Sequence, residues 1–246
     1  MKKLFAFAMA AMFAGAAFAT TAGTDSADNV VYDDGWTTGD DGSDSGNAFG
    51  QWTLNTSGSA GSYIGGVGGL AGDSFGLWAD AGGSSSALRA FESAMAVGQT
   101  FSFVFGHTAN VANGATIGFS IYNNAAAAIS WQFTGGQSYW QMNDGGSWFD
   151  IGQGYAANTE LAFTFTYEGG NDYSWSFGSA SGDNWTANNA IGNVDNAAFF
   201  NNGQGSGENA GFDSLAMSAA PVPEPATMSL LGLGAMAMVL RRKIRK

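Results

Sequence analysis

The chain has no cysteine, so nothing in it can be held by disulfides. Its three prolines fall at Pro221, Pro223 and Pro225, which leaves every backbone amide before them able to donate to a β ladder. Bases are as scarce: Lys2, Lys3, Arg241, Arg242, Lys243, Arg245 and Lys246 crowd the two ends, and Arg89 stands alone between Thr20 and Ala220. That stretch holds nineteen of the twenty acids, so one base against nineteen acids leaves it at −18. Such a field excludes nucleic acid and anionic membrane as its partners and favours solubility. One histidine, His107, excludes a histidine-rich metal site. No ten-residue stretch of the body shows a 3.6-residue apolar period, which argues against a helical fold.

What is abundant is glycine and aromatic rings. The chain has 38 Gly, and disorder is excluded by 19 Phe, 7 Tyr and 8 Trp, which supply the burial that disordered segments lack. Apolar residues alternate with small or polar ones in nearly every segment. Phe101, Phe103 and Phe105 share one face, as do Ile117, Phe119 and Ile121, then Phe163, Phe165 and Tyr167. Phe49 to Leu54, Tyr63-Ile64, Phe75 to Trp78, Leu88 to Phe91, Ile129 to Phe133, Tyr139 to Met142, Trp148 to Ile151, Tyr173 to Phe177 and Phe212 to Met217 extend the series. Turn clusters separate them, among them Asn113-Gly114, Gly135-Gly136, Gly169-Gly170 and Ser181-Gly182-Asp183. Asn123 to Ile129 fits a short helical turn or part of a strand. A dozen or so one-faced strands imply an all-β fold, an antiparallel β-sandwich of two packed sheets.

The ends read differently. Lys2 and Lys3 precede an apolar run from Leu4 to Phe18, and Ala17-Phe18-Ala19 offers a signal-peptidase site, so residues 1–19 are expected to be a signal peptide. The body is then 20–220, about 200 residues, enough for one domain with a substantial core. Residues 221–246 follow a fixed order. Val222, Pro223, Glu224 and Pro225 lead into an apolar run, 226–240, expected to be helical, and Arg241, Arg242, Lys243, Arg245 and Lys246 form a basic stop. Fifteen helical residues span roughly 22 Å, short of a bilayer core of about 30 Å, which suits a transient anchor better than a permanent one. This order resembles the PEP-CTERM sorting signal of Gram-negative bacteria. The resemblance implies export, brief attachment to the inner membrane, cleavage near the Pro-Glu-Pro by exosortase, and release to the cell surface or extracellular matrix, where exopolysaccharide is a candidate partner.

The body resembles lectin-like, concanavalin-type or laminin-G-like jelly rolls through Trp36 and Trp52, Phe75-Gly76-Leu77-Trp78, Arg89-Ala90-Phe91, Gly98 to Ser102 and Ile117 to Ser120. That likeness implies a sandwich able to bind glycan. The most unusual local feature is Asp33 to Asn47, with five aspartates and four glycines in fifteen residues. Asp33, Asp34, Asp40, Asp41 and Asp44 are candidate calcium ligands, although the spacing is not that of an EF-hand. Trp36, Trp140, Trp148 and Trp185 are candidate stacking platforms for sugar rings, with amides from Asn184, Asn188 and Asn189 nearby.

Catalysis finds little support. His107 is expected to end the Phe101–Phe105 strand, and Arg89 to pair with an acid. Glycoside hydrolysis needs two carboxylates across a cleft. Glu92, Glu160, Glu168 and Glu208 each lack a second carboxylate two residues away, and nothing matches the Glu-x-Asp-x-x-Glu strand of laminarinase-like hydrolases. The leading expectation is a non-enzymatic surface or extracellular-matrix structural protein. A calcium-assisted glycan-binding module is the alternative, with glycoside hydrolase behind it.

Overall fold

A computed structural model describes residues 21–42, 48–108, 110–124, 126–203 and 209–220. The signal segment and the sorting tail lie outside the described residues, as does Asp44. The body is two antiparallel sheets packed face to face.

The first sheet runs β13 (Ala180–Thr186), β12 (Asp172–Phe177), β11 (Leu161–Gly169), β6 (Thr100–His107), β15 (Asn209–Ser218), β4 (Ser74–Ala79), β3 (Ala60–Gly65). An eighth strand, β1 (Thr21–Asp25), shares one side of β15 with β4: Asn209 to Phe212 pair with β4, and Leu215 to Ser218 with β1. The second sheet runs β10 (Phe149–Gly154), β9 (Tyr139–Asn143), β8 (Ala126–Thr134), β7 (Thr116–Asn123), β14 (Val194–Asn202), β5 (Ser84–Phe91), β2 (Phe49–Ser57). Strand order is far from sequence order, so most of the core is made by non-local pairings.

Alternation decides which face meets the other sheet. From β6, Phe101, Phe103 and Phe105 are all buried. Phe103 meets Phe119 of β7 and Phe199 of β14 edge-on at 4.9 Å, and Phe199 stacks on Phe212 of β15 at 3.6 Å. Aromatic rings thus bridge the sheets where a smaller core would need disulfides.

Several glycines are explained by rings on the neighbouring strand. Gly61 lies opposite Trp78, Gly76 opposite Tyr63 and Gly182 opposite Trp175. A Cβ added at these glycines would stand 2.5, 2.4 and 2.6 Å from the facing ring, so each glycine is the seat of an aromatic side chain.

Three strands depart from the sequence expectation. The Ser181-Gly182-Asp183 turn is the middle of β13, and β1 and β14 have no counterpart in the alternating series. Asn123 to Ile129 resolves into a hairpin, with Asn124 at φ 55° between β7 and β8. The described residues contain one helical turn, the 3-10 segment Val30–Tyr32 capped by Asn29, whose side chain accepts from the Val31 amide. The chain beyond it covers the edge of the second sheet: Gly39 donates to the Trp52 carbonyl and Trp52 to the Asp40 carbonyl, both at 2.9 Å. In β15 an extra residue at Ser214, φ 56°, bulges the strand against β6 and places Asp213 where its carboxylate accepts from the Ala27 amide at 2.8 Å.

Candidate functional site

The acidic segment and the body's only base meet inside the sandwich. Trp52 Nε1 donates to Tyr32 Oη at 2.9 Å, and that hydroxyl donates to the Asp25 carboxylate at 3.0 Å. Arg89 Nη2 stands 2.8 Å from Asp25 Oδ2, with neither side chain exposed, and Nη1 donates to the Asp40 carbonyl at 3.4 Å. The guanidinium lies over the Trp52 and Phe49 rings at 4.8 and 5.4 Å. Burial, then the Asp25 charge, pushes the Tyr32 hydroxyl far above the ordinary phenol range. Asp25 belongs to the first sheet and Arg89 to the second, so this pair ties the sheets together and the expected partner of Arg89 is found.

The same network answers for much of the predicted calcium loop. Asp40 accepts from the Thr37 amide at 2.6 Å and from its hydroxyl at 3.1 Å, and Asp41 lies 3.7 Å from Arg89. Asp33 and Asp34 are exposed. Among the described residues no three acidic, histidine or cysteine side chains are grouped as a metal ion requires, and Asp44, the fifth expected ligand, lies outside them.

Two of the four tryptophans proposed as platforms are core residues. Trp36 is 6% exposed and packs on Trp52, Phe75 and Phe212, and Trp140 is fully buried against Phe105 and Phe177. Hydrophobic burial claims both rings, and a ring packed on its faces offers none to a sugar. Trp185 is half-buried and stacks parallel on Phe149, joining the edges β13 and β10, while its Nε1 donates to Asp144 at 3.0 Å. Asn188 donates to the other Asp144 oxygen at 2.9 Å, and Asn189 donates to the Ala128 carbonyl. Trp148, 39% exposed, is the one that keeps an open surface.

His107 ends β6 as expected, and its ring stacks on Tyr155 at 4.5 Å in the interior. A Gly-x-Ser-x-Gly spacing occurs at Gly72 to Gly76. It runs into strand β4 rather than a strand-to-helix turn, and buried Ser74 donates to the Gly65 carbonyl at 2.8 Å, so it is no nucleophile elbow.

Two surfaces were missed by sequence reasoning. One is a cleft of about 620 Å³ between the 26–37 segment and β3, walled by Asp28, Asp33, Trp36, Tyr63, Asp73 and neighbours. The other is the outward face of the second sheet. Gln141, Gln132, Gly118, Phe200, Ser86 and Asn55 stand side by side across six strands, and Asn143, Ser130, Ser120, Ala198, Leu88 and Thr53 form the next row. None of these twelve is charged, and the first row continues onto β10 at Asp150, which accepts from the Gln141 amide at 3.2 Å.

Residues 221–243 match the PEP-CTERM protein-sorting motif. The motif implies an exported protein that passes through membrane-anchored transit and is processed by exosortase. Val222, Pro223, Glu224 and Pro225 lie within the matched stretch. No helix among the described residues is long and apolar enough to cross a membrane, and the run 226–240 lies outside them.

The body is similar in fold to a sialidase, with TM-score 0.56 and 10% identity over 69% of this chain and 17% of the sialidase. The chain therefore spans about a sixth of that protein's length. It is also similar to a structure described under "Prominent members of the human gut microbiota express endo-acting O-glycanases to initiate mucin breakdown", with TM-score 0.54 and 9% identity over 82% and 100% of the two chains. A third is cellulose induced protein Cip1, with TM-score 0.51 and 8% identity over 82% and 99%. At such identities the likeness shows the sandwich fold alone. No curated protein matches the sequence.

Proposed function

We propose that the chain is an exported, non-enzymatic structural protein of the cell surface or extracellular matrix of a Gram-negative bacterium. The sorting motif supports the route. The observation that carries the non-enzymatic half is the use made of the buried ionisable groups. Asp25 serves Arg89 and Tyr32, Asp144 serves Trp185 and Asn188, Asp213 serves Ala27 and Ser214, and His107 packs on Tyr155. Groups committed to packing in this way are poor acids, bases or nucleophiles. The remaining acids among the described residues lie toward solvent, where they keep the body hydrated and separate from anionic surfaces.

Deletion of the gene tests this reading through cohesion of the biofilm or floc. Loss of cohesion, restored by the full chain but not by a chain ending at Ala220, is the expected result. Glycan hydrolysis by the purified body would overturn it.

A second reading, glycan binding, is supported by the outward face of the second sheet, where amides and hydroxyls surround Phe200 and the one carboxylate in the two rows, Asp150, stands at the β10 edge. Retention of the body on immobilised neutral polysaccharide, lost in Phe200→Asp and kept in Trp148→Ala, is the expected outcome. Equal retention of both variants would remove the face from consideration.

A further inference from the structure

Strand β1 brings little apolar surface to the first sheet. Among its five residues, Thr21–Asp25, the one apolar side chain is Ala22, and it is only half-buried. Hydrophobic burial therefore contributes little to its place, and the strand stays through its pairing with β15 and the Asp25 carboxylate. The slot it fills is more demanding. β4 pairs with Asn209 to Phe212 only, so on that side Leu215 to Ser218 have β1 as their partner. Arg89 Nη2 lies 2.8 Å from Asp25, and the Tyr32 hydroxyl donates to the same carboxylate at 3.0 Å. An empty slot leaves the buried guanidinium without its buried counter-ion, which is strongly destabilising. The occupant must be a slender strand with a carboxylate at one set position, and a second copy of this chain carries one.

The connection out of β1 is a second, independent observation. Asp28 to Val31 carry the chain from β1 to Tyr32 and Trp36, both buried in the core. Little holds this connection: the Asn29 amide donates to the Ser26 carbonyl at 3.1 Å, and the single 3-10 turn Val30–Tyr32 follows. Val30 is 78% exposed and Val31 37%, the one adjacent pair of large apolar residues left open among the described residues. β-Branched side chains favour extended backbone, and this turn neither extends nor covers them. Straightened, the four residues Asp28 to Val31 reach about 13 Å at roughly 3.3 Å each. Two such connections lying antiparallel set the valines of one copy beside those of the other.

We propose that two copies of this protein exchange β1, each copy's Thr21 to Ala27 pairing with the other's β15 and each Asp25 meeting the other's Arg89, with the Asp28 to Val31 connections straightened and paired between them. The contacts of the docked strand are remade in the exchanged dimer, including the Ala27 amide to Asp213. A signal-peptidase cut after Ala19 leaves β1 at the free end of the exported chain, so the strand withdraws without threading. Asp28 and Asp33 of both copies come near the paired connections, so salt favours the dimer. The exchange follows from the fold and does not rest on the matrix role.

The chain has no cysteine, so introduced ones report on the exchange directly. Thr24 of β1 and Ala216 of β15 are register partners. Exported protein with Thr24→Cys is mixed with isotope-labelled exported protein with Ala216→Cys, unfolded in urea, refolded at high concentration and oxidised. Cross-links between unlike copies should outnumber those between like copies and should increase with protein concentration and with salt. Unlike pairs no more frequent than like pairs would overturn the exchange. Sizing of the unaltered chain, treated in the same way, should show a dimer without either cysteine, and a monomer at every concentration would overturn it too. Val30→Ser with Val31→Ser should weaken that dimer about tenfold and leave the melt of the monomer unchanged, since both side chains are exposed there. An undiminished dimer in that variant would place the association on another surface and overturn the proposal.

Discussion

Arg89 of β5 and Asp25 of β1 meet at 2.8 Å with neither side chain exposed, and they are the only fully buried pair of opposite charges among the described residues. Two charges taken out of water are tolerable only together. Arg89→Met should therefore cost about 3–5 kcal/mol in urea unfolding, because Asp25 is left buried without its cation. Adding Asp25→Asn to that variant should recover part of the loss. If the double variant is as unstable as the sum of the single ones, the two residues are not coupled.

Tyr32 stands between Trp52 and Asp25. Tyr32→Phe removes a donor and an acceptor at once and should cost about 1–3 kcal/mol. The closeness of its neighbours gives a second handle. A Cβ at Gly42 would lie 2.1 Å from Tyr32 Oη, so Gly42→Ala should push the ring off Asp25 and lower the Tm by several degrees. An unchanged melt would mean that the loop gives way instead.

Burial raises Tyr32 and Tyr173 well above the ordinary phenol value of 10.0. The native state then keeps protons that the unfolded chain loses, so the stability they contribute is present below about pH 10 and falls as pH rises beyond it. Ultraviolet titration of the folded protein should leave at least two of the seven tyrosines, Tyr32 and Tyr173, un-ionised at pH 11, with release on denaturation. Ionisation of all seven in the folded state would contradict the buried network.

Asp213 is raised above its ordinary value of 3.8 mainly by burial, against the opposing pull of the Ala27 and Ser214 hydrogen bonds. Its contribution is present below 3.8 and is lost as pH rises through the higher folded value. Relative to Asp213→Asn, the parent protein should therefore lose stability between acid and neutral pH. A constant difference across that range would refute the shift.

Much of the sandwich was legible because strands such as β6, β7 and β11 place large apolar residues at every second position. β14 hid because its Ala197-Ala198-Phe199-Phe200 run is apolar on both faces, with Phe199 in the core and Phe200 outside. β1 hid because Thr21 to Asp25 contains one small apolar side chain, and its place is set by pairing with β15 and by Arg89. β13 was read as a turn because Gly182 signals one in isolation, yet that glycine is the seat of the Trp175 ring. The candidate sites were harder. Nothing in the local sequence tells that Trp36, in the loop before β2, or Trp140, on β9, packs inward, and the cleft joins Asp28 and Asp33 to Tyr63 and Asp73 through folding alone.

The register that sets Thr21 of β1 opposite Ser218 of β15 has a mechanical consequence. The body's first and last strands are antiparallel neighbours whose outer ends lie together, so a force pulling those ends apart peels β1 away one hydrogen bond at a time. That peeling passes Gly23 and Thr24 and stops at Asp25, opposite Leu215, where the buried arginine holds the strand. The ion pair at the inner end of β1 thus serves as the catch on a zipper. A body tugged by its termini yields there first or stays whole.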